Sequence, residues 1–585
     1  MPTIRSDADL DTLRPLTPGE IQLLAACRAG EPCRLGDSSL PGSGSVQHEQ
    51  FIRAEVLRYL IVGGCEVNPV AGSGVDLHGA FISGKLNLAT EQAHGSLSLQ
   101  NCRFDRLLSV FQARMQNLRL DGSHLSGLNG HGLCVANDVI LRRVTDTGGI
   151  NLFAARIGGR LDCQAADIAP REHLALNAKN AEIAGGLTLS EIRARGRVSL
   201  NGAVINGQMS CENAHFDGDS AAYAFKAQDV TVRADLNCAG VEARGMFSLS
   251  GATVGGRLVF DGASFDAGDD DLQSSAVRLV RMNVAEGFHW KAIRLGRGRV
   301  SLTAAHVGDL VHDLNSDMDS WPSSDRFDLD GFTYDRMTGP SIPPGIFIEW
   351  LRKGSIEQEN FLPQPFTQLA KVLRERGHDR DSRLILAERD RLIMKNVRDR
   401  TRITEYDGTW NTAFLSLSRD ASNLRRYLVD LLLRRAVGYG YRPFRSMWML
   451  ATLVAVAILL AQMTWREGSF VPTAEAANSS EIWLALSDSG TANPAQVWSR
   501  VPVVQADGQT RPPPGRDYPR FNAFAWGADL VIPIIDFGQT ANWGPSSGRG
   551  PWGVWLWRAS FFLAAAGWIV TALGAAAITG IIRRE

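Results

Sequence analysis

None of the eight cysteines stands in a C-x-x-C pair, so the common spacing of a dithiol redox centre or a zinc ribbon is missing. No Gly-x-Gly-x-x-Gly follows a strand pattern, and no histidine pair sits in a long apolar run. The sequence signatures of a dinucleotide fold and of a membrane haem are therefore absent. Neither sign of charge predominates: 61 Lys and Arg face 62 Asp and Glu, which excludes a global attraction to nucleic acid. Met1 to Asp11 is polar and acidic, without the apolar core of a secretory leader. A cytosolic setting with reduced cysteines is the expectation.

What is present is a repeat. From about Val75 to Val311 an apolar-x-apolar pattern returns roughly every eleven residues, as in Val198-Ser199-Leu200 and Met209-Ser210-Cys211. Its second apolar residue falls at Leu77, Leu88, Leu99, Val110 and Leu120, then at Leu141, Leu152, Cys163, Leu176, Leu189, Leu200 and Cys211. It resumes at Cys238, Leu249 and Phe260, then at Leu279, Trp290 and Leu302. Residues i and i+2 of a strand share a face, so each unit reads as a short strand with two inward side chains. Strands so short bury enough surface only by stacking. Cys163, Cys211 and Cys238 take inward positions, where cysteine acts as a small hydrophobe.

Some strands are followed by Gly/Ala-Ala-x-Ile/Val-x-Gly, at Gly79 to Gly84, Ala154 to Gly159, Gly202 to Gly207 and Gly251 to Gly256. Small residues at a fixed place suit a tight corner. Two unlike half-turns then make a coil of about 22 residues. The fold class expected is mainly β: a parallel β-helix (solenoid) with a helical N-cap, a helical hairpin and two C-terminal transmembrane helices. In style the coils resemble the solenoids of bactofilin-like and pentapeptide-like proteins, without the pentapeptide pattern itself.

Residues 1–74 read as a helical cap over the solenoid end. Thr17-Pro18-Gly19-Glu20 has capping-box spacing, and a second amphipathic helix is expected from about Gln47 to Leu60. The repeat proper is 75–311. Two insertions, one with His215-Phe216-Asp217-Gly218-Asp219-Ser220 and one with Asp269-Asp270-Asp271, are expected to protrude; the triplet lacks the Asp-x-Asp spacing of a calcium loop. Residues 312–362, with Pro322, Pro340, Pro343 and Pro344, are expected to be a linker or irregular cap. A helical hairpin and juxtamembrane helices fill 363–445. The hairpin's first helix is Pro365 to Arg374, Gly377 ends it, and the second runs from Asp379 to about Arg400. Its Leu369, Leu373 and Gly377 spacing resembles a single tetratricopeptide-type hairpin.

The membrane domain is expected over 446–585, with spans at 446–463 and 559–582 flanked by Trp448, Trp465, Trp552, Trp555 and Trp557. Arg425, Arg426, Arg434, Arg435, Arg442 and Arg445 precede the first span, and Arg583 and Arg584 follow the second. By the positive-inside rule both termini are cytoplasmic, the protein is multi-pass in the inner membrane, and loop 464–554 is outside. Inside that loop, Ala523 to Ile535 is apolar but too short to span. With the Asp536-Phe537-Gly538-Gln539 turn it reads either as a re-entrant segment over 523–538 or as an interfacial helix. Asp529, Pro533, Asp536 and Gly538 are the candidate pore or re-entrant residues.

Pro365-Phe366-Thr367-Gln368-Leu369-Ala370-Lys371-Val372-Leu373-Arg374-Glu375-Arg376-Gly377, Gly438-Tyr439-Gly440-Tyr441-Arg442-Pro443 and Pro533-Ile534-Ile535-Asp536-Phe537-Gly538-Gln539 resemble segments of a bacterial family of β-solenoid membrane proteins usually labelled membrane-associated oxidoreductase. The resemblance covers the C-terminal third and, in style, the repeat. It implies redox chemistry and carries over no catalytic residue. The residues themselves point first to a membrane-anchored cytoplasmic solenoid acting as scaffold, sensor or interaction platform. The alternatives are an oligomeric two-span channel-like protein and an enzyme, either that oxidoreductase or a solenoid with a groove of the carbohydrate-acting type; the clustered acids of such a groove are not evident, the outward strand residues being mostly Ser, Asn, Thr and Asp. No catalytic residue, metal site or cofactor is expected. The expected partners are the lipid bilayer, other copies of the chain or a protein on the solenoid, and no nucleic acid.

Overall fold

The structure is a computed structural model describing residues 10–403 and 444–579, apart from 12, 43–45, 67, 171–172, 219–222, 269–273, 315–317, 358–359 and 505–508. Asp269-Asp270-Asp271, Asp219-Ser220, Gly438 to Pro443, and Arg425, Arg426, Arg434, Arg435, Arg442, Arg583 and Arg584 lie outside the described residues. The chain divides into two compact units, residues 1–389 and 390–585.

The first unit is built on three large sheets of 20, 11 and 10 strands. Their ladders are parallel, and the register shows how the chain returns. Cys134 lies opposite Arg156, Val139 opposite Leu161, and Thr145 opposite Asp167, each 22 residues on. The expected return length is there, but each return carries four strands where two half-turns with one strand each were expected. Strands start at Cys134, Val139, Thr145 and Ile150 within one return. The second motif explains the difference. Its opening residue is the corner, in the left-handed region at Ala154, Gly202 and Gly251, while its Ile or Val belongs to a strand of its own, as in Arg156–Ile157, Val204–Ile205 and Thr253–Val254.

All 18 inward positions named from the repeat are at most 1% exposed. Fully burying one such side chain is worth roughly 1.5–3 kcal/mol, so stacking supplies what no single coil has. Cys163, Cys211 and Cys238 are among them, free and buried. Burial pushes the Cys163 and Cys238 thiols upward, away from the reactive thiolate.

Corners stack as the strands do. Asn180 and Asp229 each adopt the left-handed conformation, with φ of 54°. Each covers the corner one return later, and there the residue is glycine. A Cβ on Gly202 would meet Asn180 Oδ1 at 2.5 Å, and one on Gly251 would meet Asp229 Oδ1 at 2.1 Å.

The two ends of the stack are closed differently. Helix α1 (Pro18–Ala29) carries the expected capping box, Thr17 accepting from the Glu20 amide and Glu20 from that of Thr17. The segment expected as one helix over 47–60 instead divides into strand Phe51–Arg53 and helix α2 (Ala54–Ile61). That strand and Cys33–Arg34 pair with the first repeat strands, Phe81–Ser83 and Leu77–His78. An open parallel edge needs backbone partners, which a helix cannot supply. Burial works against the Glu20 charge. Hydrogen bonds from the Arg53 guanidinium and from the Thr17 and Arg53 amides outweigh it, and hold the carboxyl below its usual range.

At the far end, strands continue through the region expected to be irregular. His306–His312 pairs with Thr333–Thr338, and helix α3 (Pro344–Gly354) follows. Its Trp350 meets Trp321 edge-on at 5.4 Å. Helix α4 (Gln364–Glu375) then covers the last edge. Gln364, Gln368 and Arg376 donate to the carbonyls of Phe332, Tyr334 and Met337. Helix α5 (Asp379–Ile403) completes the hairpin, Ser382 donating to the carbonyl of Ala370.

In the second unit, helix α6 (Phe444–Glu467), short helix α7 (Ala523–Val531) and helix α8 (Pro551–Ile578) pack together. Helices α6 and α8 are long and apolar enough to cross a membrane. Helix α8 begins eight residues before the expected span, because Pro551 starts it and Arg558 does not interrupt it.

Two outcomes follow. Gly262 has a φ of 73° and nothing near its missing Cβ, so Gly262→Ala is expected to cost only the left-handed penalty, about 1–2 kcal/mol. Gly251→Ala adds the Asp229 clash and is expected to cost about 2–4 kcal/mol. Equal losses in urea unfolding would contradict the corner account. Glu20→Gln is expected to cost about 2–4 kcal/mol at neutral pH. A depressed carboxyl stabilises above its unfolded value and loses this as pH falls through the folded value. The gap between wild type and variant should therefore close below about pH 4.

Candidate functional site

The candidate residues fall on helix α7 and the segment after it. Asn522 caps the helix, accepting from the Phe524 and Ala525 amides at 3.0 and 3.2 Å. Glycines then let three backbones meet. A Cβ on Gly527 would stand 3.0 Å from the Ile458 amide nitrogen, and one on Gly567 would be 1.9 Å from the Val531 carbonyl oxygen. On α8 a Cβ on Gly574 would meet the Ser446 side chain of α6 at 2.7 Å. Small residues at helix contacts are the expected device where lipid offers no hydrophobic drive.

These contacts set the depth of α7. Helix α6 has 24 residues, about 36 Å at 1.5 Å per residue. Val531 packs in one cluster with Val454, Ala457 and Leu563, joined by Leu453 and Ile532, so the tip of α7 lies near the middle of α6. At the other end, Trp465 stacks on Phe521 at 4.3 Å, and Trp526 donates to the Trp543 carbonyl. The chain therefore goes in along α7 and comes back. Gln539 closes the loop at its mouth, donating to the Arg520 carbonyl and accepting from the Asn522 amide.

Asp529 holds the return. Its carboxylate accepts from the amides of Phe537, Gln539 and Thr540 at 2.5, 2.6 and 3.4 Å, so it is occupied with backbone. Among the described residues Asp536 accepts only from the amide of Gly538, at 2.8 Å, and it is exposed. Gly538 has a φ of 73°, the left-handed region where glycine is favoured. Pro533 lies in the non-helical turn beside Ile534, which is 82% exposed. The structure thus gathers all four candidates in one hairpin but gives the two acids different surroundings. Gly527, which fixes the hairpin's depth together with Gly567, carries no signal in the sequence, whereas Gly567 stands in a run of small residues (Ala564, Ala565, Ala566, Gly567) of the kind that lets helices approach closely.

The sheet unit presents a separate feature, an open groove of about 700 Å³ crossing several returns. Arg114, Arg156 and Arg233 line it above small residues Gly158 and Ala184. Arg156 lies 3.6 Å from Glu182; among the described residues Arg114 and Arg233 have no ion pair. On another face Asn129, Asn151 and Asn177 stack in successive returns, Asn177 donating to Asn151 at 3.0 Å. No group of three metal-ligating side chains occurs among the described residues.

No protein-family model matches the chain, and neither curated proteins nor solved structures provide a match.

Asp529→Ala strands three amides and is expected to cost about 2–5 kcal/mol. Asp536→Ala removes one exposed bond and is expected to cost under about 1 kcal/mol. Thermal unfolding in detergent distinguishes them, and equal midpoints would contradict the role given to Asp529.

Proposed function

We propose that this protein is a membrane-anchored parallel β-helix whose sheet faces serve as a binding platform. The carrying observation is the exposure of α6 and α8. Only 17% and 28% of their most apolar stretches are buried, whereas the core helix of a water-soluble protein hides most of its apolar surface. Trp448, Phe561, Phe562 and Trp568 are among the large apolar side chains left without cover. A bilayer is the solvent that suits them. The arginines flanking both spans in the sequence favour cytoplasmic termini, which puts the β-helix in the cytoplasm. There the Arg114–Arg156–Arg233 groove offers a cationic docking line for an acidic protein segment. We assign no residue to the redox activity implied by the family resemblance.

The anchor is tested on the full chain by washing membranes with alkaline carbonate. Retention in the pellet is expected, and release into the supernatant would contradict the anchor. The platform is tested by co-purification with crosslinking. Arg156→Glu with Arg233→Glu is expected to lose the captured acidic partner, and unchanged capture would remove the groove from the account.

A further inference from the structure

Resting on the groove reading above, the ladder register fixes how an occupant lies. Arg114, Cys134, Arg156, Glu182, Val204 and Thr231 stand in line in successive returns. Two residues further on, a second line runs through Ala136, Gly158 and Ala184 to Arg233. Returns stack about 4.8 Å apart, so Arg156 is about 9.6 Å along the stack from Arg114, and Arg233 about 24 Å. The two lines are about 6.6 Å apart, too narrow for a helix about 10 Å across. One extended chain fits lengthwise, over the small residues between them. In polyproline II every third residue returns to one face after about 9.3 Å, which matches the step from Arg114 to Arg156. A β-strand turns residues i and i+3 to opposite faces.

The charged residues lining the groove are Arg114, Arg156, Glu182 and Arg233. Arg156 and Glu182 stand 3.6 Å apart with both side chains exposed, and such pairs are weak. Either member can therefore turn to an occupant. We infer that the groove takes a proline-rich acidic segment in polyproline II form, with acids three residues apart on Arg114 and Arg156, and that Glu182 sets its charge order by demanding a base before the acid on Arg233. Counted at about 3.1 Å per residue, the base falls two positions after the second acid and the third acid three positions later.

The test uses full-length protein in detergent at low salt and two fluorescent peptides of one composition, read by anisotropy. Glu-Pro-Pro-Glu-Pro-Lys-Pro-Pro-Glu places its charges as the groove requires. Lys-Pro-Pro-Glu-Pro-Glu-Pro-Pro-Glu misplaces the base whichever way it docks. The first is expected to bind about tenfold more tightly, and Glu182→Lys to erase that preference. Equal affinities for wild type, or a preference that survives Glu182→Lys, would overturn the inference and leave a cationic groove. Binding of neither peptide, or binding unmoved by Arg156→Glu with Arg233→Glu, would overturn the groove reading and the inference with it.

Discussion

A backbone amide or carbonyl removed from water has to find a partner, and both units are arranged around that demand. In the sheet unit each return offers its edge to the next, and partners lie 20 to 22 residues apart in the returns between Gly74 and Asp167. The stack would end in open edges. Strand Phe51–Arg53 closes one, and the side chains of Gln364, Gln368 and Arg376 reach the carbonyls beyond the other. In the helical unit the same demand falls on one short return, and the Asp529 carboxylate meets it by taking three amides.

Carboxylates accordingly serve the backbone in several places where chemistry would be a natural first thought. Asp146 occupies an inward strand position at 1% exposure and accepts from the Gly148 amide. Burial raises its carboxyl above the usual range, opposed by the surrounding glycine amides. Asp229 covers the corner that requires Gly251. Each acid is explained by the amides or glycines it meets; in the helical hairpin Asp529 takes three amides and Asp536 that of Gly538.

Much of the sheet unit could be read from the sequence, because inward positions need apolar residues and the core admits little else. The number of strands per return could not. The added strands contribute a single apolar residue each, such as Ile157 or Ile205, beside a corner glycine or alanine, and that looks like a turn. Strands beyond 311 escaped notice because Trp321, Phe327 and Tyr334 fill the core there and break the leucine pattern. The groove arginines escaped because only the ladders bring them together: Arg114 and Arg156 share a column two returns apart, and Arg233 stands two residues beyond that column's Thr231. In the helical unit the hairpin's residues were legible as a group. Which acid is tied down depends on contacts eight to eleven residues apart, a separation without a sequence signature.

The most direct measurement is amide hydrogen exchange on the full-length protein in lipid nanodiscs, resolved to peptides over 532–543 and over the returns between Cys134 and Leu200. Backbone satisfaction predicts that the Phe537, Gln539 and Thr540 amides exchange nearly as slowly as those of the stacked strands, and far more slowly than the surface helices around 475–490. Exchange at 537–540 as fast as in that surface segment would contradict the account.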